Sequence, residues 1–194
     1  MGYELVYLAS RSPRRAELLR QLGVRFELVD ADVDESARAG EAVEAYVTRL
    51  AQAKVEAARA RLGSRATNPI LAADTAVALD GVIFGKPGSR SEALEMLGRL
   101  SACSHQVLSA VAVYAAGALR TVVSISKVSF RAISAAEAAA YWESGEPTDK
   151  AGGYAIQGRG AMFVERLEGS YSGVVGLPLY ETAQLLRAAG LRIL

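Results

Sequence analysis

The chain has 194 residues, 51% of them hydrophobic and 22% charged, with 22 Lys and Arg against 21 Asp and Glu and a formal net charge of +1. That length buries roughly 70% of the unfolded surface, so a core forms without staples, and the balanced charge excludes a global positive field for nucleic acid or an anionic membrane. A single cysteine, Cys103, and a single histidine, His105, exclude an internal disulfide and any zinc site of several Cys or His ligands. From the N-terminus, the apolar run 3–9 predicts a strand, and Ser10-Arg11-Ser12-Pro13-Arg14-Arg15 leads into a helix over 13–22. Ser12 fits the N-cap and Pro13 the first helical position. Arg14 and Arg15 then occupy the first turn, where the helix macrodipole disfavours each cation by ~0.3–1 kcal/mol. A strand end, a small-residue turn and a basic first turn supply converging donors, which is what a phosphate requires.

Residues 25–29 predict a second strand and 30–40 an acidic loop holding Val33-Asp34-Glu35. Across 41–62, Val43, Tyr46, Val47, Leu50, Val55, Ala58 and Leu62 recur at helical spacing, a long amphipathic helix. Lys54 continues its apolar stripe, where a lysine either snorkels or pairs with an anion. Asp34 and Glu35 are hard oxygen ligands of the kind magnesium and manganese take, and one or two suffice when substrate phosphates complete the shell.

A short buried strand over 70–73 ends at Asp74. A carboxylate at a strand end either caps turn N–H groups or binds a metal and takes a proton from water. Residues 75–79 and 82–84 flank Asp80-Gly81 as a hairpin. Gly85-Lys86-Pro87 is no Walker A loop, since Pro87 stands where the Ser or Thr would hold magnesium; Lys86 on this stiff turn is either a phosphate contact or solvated. Ser89-x-x-Glu92 reads as a capping box for a helix to about 100, 106–115 and 119–130 as a larger hairpin around Ala116-Gly117, and Ser134-x-x-Glu137 as a second box for a helix to about 142. His105 reads as a polar residue at a strand start, although any Ser-His-Asp triad would have to run through it.

Segment 144–178 carries Gly145, Gly152, Gly153, Gly158, Gly160, Gly169, Gly173 and Gly176 out of 18 glycines in all, which implies tight turns or close approach to a ligand, threaded by short strands at 154–156 and 161–167. Gln157, between glycines, offers an amide donor and acceptor that match the O4 and N3–H edge of uracil or thymine, or else bonds a neighbouring loop. A final helix over 178–189 and an edge strand over 191–194 close the chain. No apolar stretch approaches ~20 residues, and Met1-Gly2-Tyr3-Glu4 lacks the basic and apolar regions of a signal peptide, so the expected compartment is the cytoplasm, with no membrane partner. Strand-like and helix-like runs alternate, an α/β pattern read as one domain over 1–194.

The ordered set Leu8-Ala9-Ser10-x-Ser12-Pro13-Arg14-Arg15, Val33-Asp34-Glu35, Ala73-Asp74-Thr75, Gly85-Lys86-Pro87, Ser104-His105-Gln106-Val107 and Asp149-Lys150-Ala151-Gly152-Gly153-Tyr154-Ala155-Ile156-Gln157-Gly158 resembles the Maf family of nucleoside triphosphate pyrophosphatases over 8–182. The resemblance implies an elongated mixed sheet with two lobes and a central cleft, similar to the inosine triphosphatase fold, and a homodimer. It implies hydrolysis of a nucleoside triphosphate to monophosphate and pyrophosphate with a divalent metal, magnesium or manganese. Asp74 matches the family's proton acceptor, and Arg14, Thr75 and Gln157 match positions that mark the branch acting on dTTP and UTP; the branch acting on 7-methyl-GTP lacks the 149–158 wording. On this reading Asp74, Lys54 and Lys86 are catalytic, Glu35 and Asp74 hold the metal, and Ser10, Arg14, Arg15, Thr75 and Gln157 bind substrate. Ala102, where the family usually has Gly after Ser101, and Ser172-Gly173 at a variable pair depart from the pattern without touching a proposed ligand. Two rivals stand beside it: a nucleotide-binding regulator of septum formation that needs no turnover, and a phosphatase attacking the γ end.

Overall fold

The computed structural model describes residues 3–193. β1 (Leu5–Leu8), α1 (Pro13–Gln21) and β2 (Arg25–Leu28) form a strand–helix–strand unit whose strands pair in parallel. Pro13 opens α1 and Ser12 is its extended N-cap, as expected, but the Ser12 side chain makes no capping hydrogen bond. The 20-residue helix α2 (Val43–Leu62) leads to β3 (Ile70–Leu79), which pairs in parallel with β1 through Leu8↔Leu71. β4 (Val82–Phe84) turns back on the far end of β3, and α3 (Arg90–Leu100) follows. The long hairpin of β5 (Ser104–Ala115) and β6 (Ala118–Phe130) precedes α4 (Ala135–Glu143), β7 (Val164–Glu168), α5 (Tyr171–Val175) and α6 (Leu179–Ala188).

The strands make one seven-stranded sheet in the order β2-β1-β3-β5-β6-β7, with β4 on β3 outside that path. Its β1–β2 and β1–β3 pairs are parallel and the rest antiparallel, the mixed sheet that the family resemblance implies on the α/β pattern read from the sequence. Both hairpins close through two residues in the left-handed region, Asp80 (φ 51°) with Gly81 (φ 78°) and Ala116 (φ 49°) with Gly117 (φ 81°), the geometry that matches strand twist. Alternation along β3 divides its side chains: Ile70, Ala72, Ala76 and Ala78 pack under Val47, Ala51, Val55 and Ala58 of α2, whereas Leu71 and Ala73 face Ala16, Leu19, Val175, Leu177 and Leu186. A third core joins Val77, Val107, Val128 and Phe130 to Leu97, Leu100, Tyr141, Tyr154 and Phe163.

Several elements differ from expectation. Asp74 does not end a strand: β3 is continuous through it because β5 pairs along the full run from Ile70 to Ala78. Residues 154–156 are not a strand; the glycines fold 151–153 into a 3-10 turn instead, and 159–163 is a second such turn ahead of the short β7. Only an isolated bridge, Tyr3↔Leu191, stands where an edge strand over 191–194 was expected, and Leu194 lies outside the described residues. Ser134 and Glu137 complete a reciprocal capping box, but Glu92 accepts from Gly88 N rather than from its own N-cap Ser89, leaving that box half formed.

Candidate active site

The cleft follows from how β3 changes partners. Its N-terminal end is edged by β1, its C-terminal end by β4 from Val77 onward, and the residues between have β5 on one side and no strand on the other. Beyond Leu8 the chain departs at Ser10 and enters α1. A cleft of about 720 Å³ opens at this gap, and Ser10, Arg14, Arg15, Glu35, Lys54, Asp74, Thr75, Lys86 and Gln157 all line it. Nine residues singled out along the sequence thus meet in one place. Asp34 does not join them; its Oδ1 accepts from Ser36 N in a local turn.

Asp74 and Thr75 are adjacent, so they point to opposite faces of β3. On the α2 side, Lys54 Nζ lies 2.6 Å from Asp74 Oδ1 and 2.6 Å from Glu35 Oε1. The stripe lysine therefore pairs with anions rather than snorkelling. Tyr46, also on α2, donates to the Glu35 carbonyl at 2.9 Å, and burial beside Asp74 and Glu35 pushes its hydroxyl up to about 12. Burial raises the Asp74 carboxyl above its ordinary value, against the pull of Lys54 and Arg15. Glu35 is less enclosed; burial opposes its charge, but Lys54, Lys86 and Arg15 outweigh that and hold it below the usual range.

On the opposite face, Arg15 Nε donates to Gly176 O at 2.9 Å, with its terminal nitrogens 3.4 Å from Ser10 Oγ and 3.5 Å from Thr75 Oγ1. Burial depresses the Arg15 guanidinium below its ordinary value, with Asp74 and Glu35 opposing the shift. Arg14 reaches Asp149 across the cleft, Nη1 to Oδ2 at 3.7 Å. The Gly85 carbonyl accepts from Gly152 N at 3.0 Å, tying the Lys86 turn to the glycine-rich segment.

Some site residues were not anticipated. Ser109 of β5, wholly buried, shares a 2.7 Å hydrogen bond with Thr75 Oγ1 and donates to Gly173 O at 2.7 Å; its only signal was a hydroxyl inside an apolar run. His105 is buried in the third core, with Nε2 2.8 Å from the Tyr154 hydroxyl, and burial lowers its pKa to about 4. Tyr154 lines the cleft wall, so His105 supports the site from behind rather than acting in it.

An α/β fold whose strand gap gathers a buried lysine, a half-buried arginine and two carboxylates around an open cleft defines a class of protein suited to a polyphosphate ligand. The comparisons place the chain within that class. It belongs to the Maf family: the family model described as "Maf-like protein" matches residues 5–189. A curated relative named dTTP/UTP pyrophosphatase from Cupriavidus pinatubonensis (strain JMP 134 / LMG 1197) is 54% identical over 198 residues, covering 98% of this chain and 99% of the relative. Proteins of the same name from Methylococcus capsulatus (54% identity, 95% of this chain and 90% of the relative) and Methylobacillus flagellatus (51% identity, 97% and 94%) are similar throughout. A solved structure, the Staphylococcus aureus Ham1 protein, superposes on 67% of this chain and 72% of its own at 15% identity with a TM-score of 0.38, a likeness too slight to carry weight.

Proposed function

We propose that the chain is a nucleoside triphosphate pyrophosphatase that hydrolyses dTTP and UTP to the monophosphate and pyrophosphate, with water attacking the α-phosphorus. The observation that carries the reading is the convergence of Asp74 and Glu35 on Lys54 Nζ at 2.6 Å each, opposite the half-buried Arg15. The name of the relatives, dTTP/UTP pyrophosphatase, supports dTTP and UTP as substrates and a pyrophosphatase reaction.

Asp74 is the proton acceptor. Burial raises its pKa, which strengthens it as a base near neutral pH. Ser10, Arg14, Arg15, Lys54 and Lys86 hold the triphosphate and offset charge that grows on the leaving pyrophosphate. Thr75 and Gln157 are the residues that discriminate the pyrimidine. Glu35 and Asp74 fit a magnesium or manganese ion: Lys54 takes one oxygen of each carboxylate and leaves the other to a hard cation, and no denser cluster of ligands occurs among the described residues. When bound, such an ion lowers the pKa of water and neutralises phosphate charge.

The chain works as one two-lobed unit and, on the family likeness, as a cytoplasmic homodimer. None of the described helices is long and apolar enough to cross a membrane. The deciding experiment is ion-exchange analysis of products from UTP, dTTP, CTP and 7-methyl-GTP with magnesium or manganese. UMP and dTMP with pyrophosphate support the reading, diphosphate with orthophosphate overturns it, and light scattering tests the dimer.

A further inference from the structure

Gln157 stands exposed on the cleft wall, at the crown of a turn closed by Gly158 N donating to Ala155 O at 3.2 Å. What fixes that turn is a carboxylate outside the catalytic group. Glu146, half-buried after α4, accepts from Tyr141 Oη at 2.6 Å and Gly160 N at 3.0 Å through Oε1, and from Arg159 N at 2.9 Å through Oε2. Tyr141 Oη in turn accepts from Ala155 N at 3.0 Å. Both ends of the turn that carries Gln157 are therefore bonded to one Glu–Tyr pair. Tyr141 is itself held in the core, its ring edge-on to Phe163 at 5.1 Å.

The glycines of the turn serve this contact. A Cβ on Gly158 would lie 2.2 Å from Glu146 Oε2, and one on Gly160 would lie 2.6 Å from Tyr141 Oη and 2.8 Å from Ala155 O. Gly158 has an ordinary negative φ of −118°, so close approach to the carboxylate, not a left-handed backbone, requires glycine there. Burial would favour the neutral acid, but the bonds from Tyr141, Gly160 and Arg159 outweigh it and keep the Glu146 carboxyl below its usual range. Charge-assisted hydrogen bonds of this kind are about twice as strong as neutral ones.

We propose that Glu146, acting through Tyr141 and the backbone of residues 155–160, is the positioning residue that holds Gln157 at the base end of the cleft and so sets the pyrimidine preference. This rests on the reading of Gln157 as the base-discriminating amide. A hydrogen-bonding group displaced by about 1 Å loses much of its effect, and Glu146 touches none of the phosphate-binding residues, so its loss acts on base selection and spares the phosphate end.

The test compares kcat/KM for UTP and CTP in the wild type, Glu146→Gln, Tyr141→Phe, Gln157→Ala and the Glu146→Gln/Gln157→Ala double variant, with thermal melting as the check on folding. In Glu146→Gln, an amide N–H2 meets one of the incoming donors, and the expected result is a fall of about ten-fold in the UTP to CTP ratio, seen as a higher KM for UTP with kcat changed by less than about three-fold. Tyr141→Phe gives a smaller fall in the same direction and decides the matter if Glu146→Gln does not fold. In the Gln157→Ala background, Glu146→Gln lowers the ratio no further, since the two act through one contact. An unchanged ratio in the folded variants, equal loss of kcat on both nucleotides, or losses that add in the double variant overturn the proposal. A wild type with no preference for UTP, or a preference that survives in Gln157→Ala, overturns the reading of Gln157 as well, whereas a preference lost in Gln157→Ala but kept in Glu146→Gln and Tyr141→Phe overturns this inference alone.

Discussion

Lys54 Nζ lies 2.6 Å from Asp74 Oδ1, with the two side chains only 10% and 9% exposed. The pair joins α2 to β3 where the strand has no neighbour on its cleft side. A buried ion pair is weak evidence for stability, because desolvation offsets much of the attraction. Its place beside Glu35 and Arg15, with the Asp74 carboxyl raised by burial, points instead to chemistry.

Replacing Asp74 by Asn keeps the side chain's shape and removes its basicity and charge. Lys54 retains Glu35 at 2.6 Å, so the cation is not stranded. The expected outcome is a loss of turnover of about 10²–10⁴-fold with an unchanged circular dichroism spectrum. Full activity in this variant would remove Asp74 from the proposed mechanism.

Lys54→Met leaves the buried Asp74 carboxylate without its nearest cation. Lys54 is the chief influence holding the Asp74 pKa down against burial, so that pKa rises further. An acid whose folded pKa exceeds its unfolded value stabilises fully below the unfolded value and loses that contribution as pH rises through the folded one. The variant is therefore most destabilised at neutral and alkaline pH, by about 3–5 kcal/mol for a broken buried pair, and recovers as pH falls towards the ordinary Asp value of 3.8. Urea unfolding across pH reads this directly. In wild type, the acid limb of kcat/KM lies above the ordinary Asp value of 3.8; in any residual activity of the variant it moves higher still.

The site was legible where chemistry and local pattern coincide. Ser10, Arg14 and Arg15 were marked by cations in a helix first turn, Lys54 by a charge in an apolar stripe, and Gly85-Lys86-Pro87 by a stiffened turn. Asp74 was misplaced at a strand end because a charge interrupts the apolar run, and only long-range pairing with β5 carries the strand through it. The site roles of Ser109, Tyr46 and Glu146 were not legible for the same reason: their partners Thr75, the Glu35 carbonyl and the 159–160 backbone come from other elements. The supposed strand at 154–156 failed because the glycines beside it adopt left-handed angles, Gly152 at φ 70° and Gly153 at φ 69°, which end extended pairing.

His105 gives a stability prediction independent of the cleft. Burial lowers its pKa from 6.5 to about 4, so below pH 6.5 the unfolded chain takes a proton that the folded chain refuses. A depressed folded pKa means stability present above the unfolded value and lost as pH falls towards the folded one. That gap amounts to about 3 kcal/mol lost between pH 6.5 and 4. His105→Gln keeps a polar group near the Tyr154 hydroxyl and has no such proton, so its unfolding free energy declines less over that window. Parallel pH curves for the two proteins would show that His105 does not titrate as its burial requires.

Gln157 bears on specificity rather than rate. Its amide presents a donor and an acceptor, and both are needed to match the O4 and N3–H of uracil or thymine. Glutamate at this position keeps the length, loses the donor and adds a negative charge that no uracil oxygen tolerates, while the Lys54–Asp74 pair between α2 and β3 is untouched. Gln157→Glu is therefore expected to lower kcat/KM for UTP and dTTP by about ten-fold or more, and to lower it less for CTP, whose exocyclic amine can donate to the new carboxylate. Competition assays with UTP and CTP in one vessel measure the ratio without reference to active-enzyme concentration. A ratio equal to that of the wild type would remove Gln157 from base discrimination and leave Thr75, Arg14 and the shape of the cleft as the remaining sources of preference.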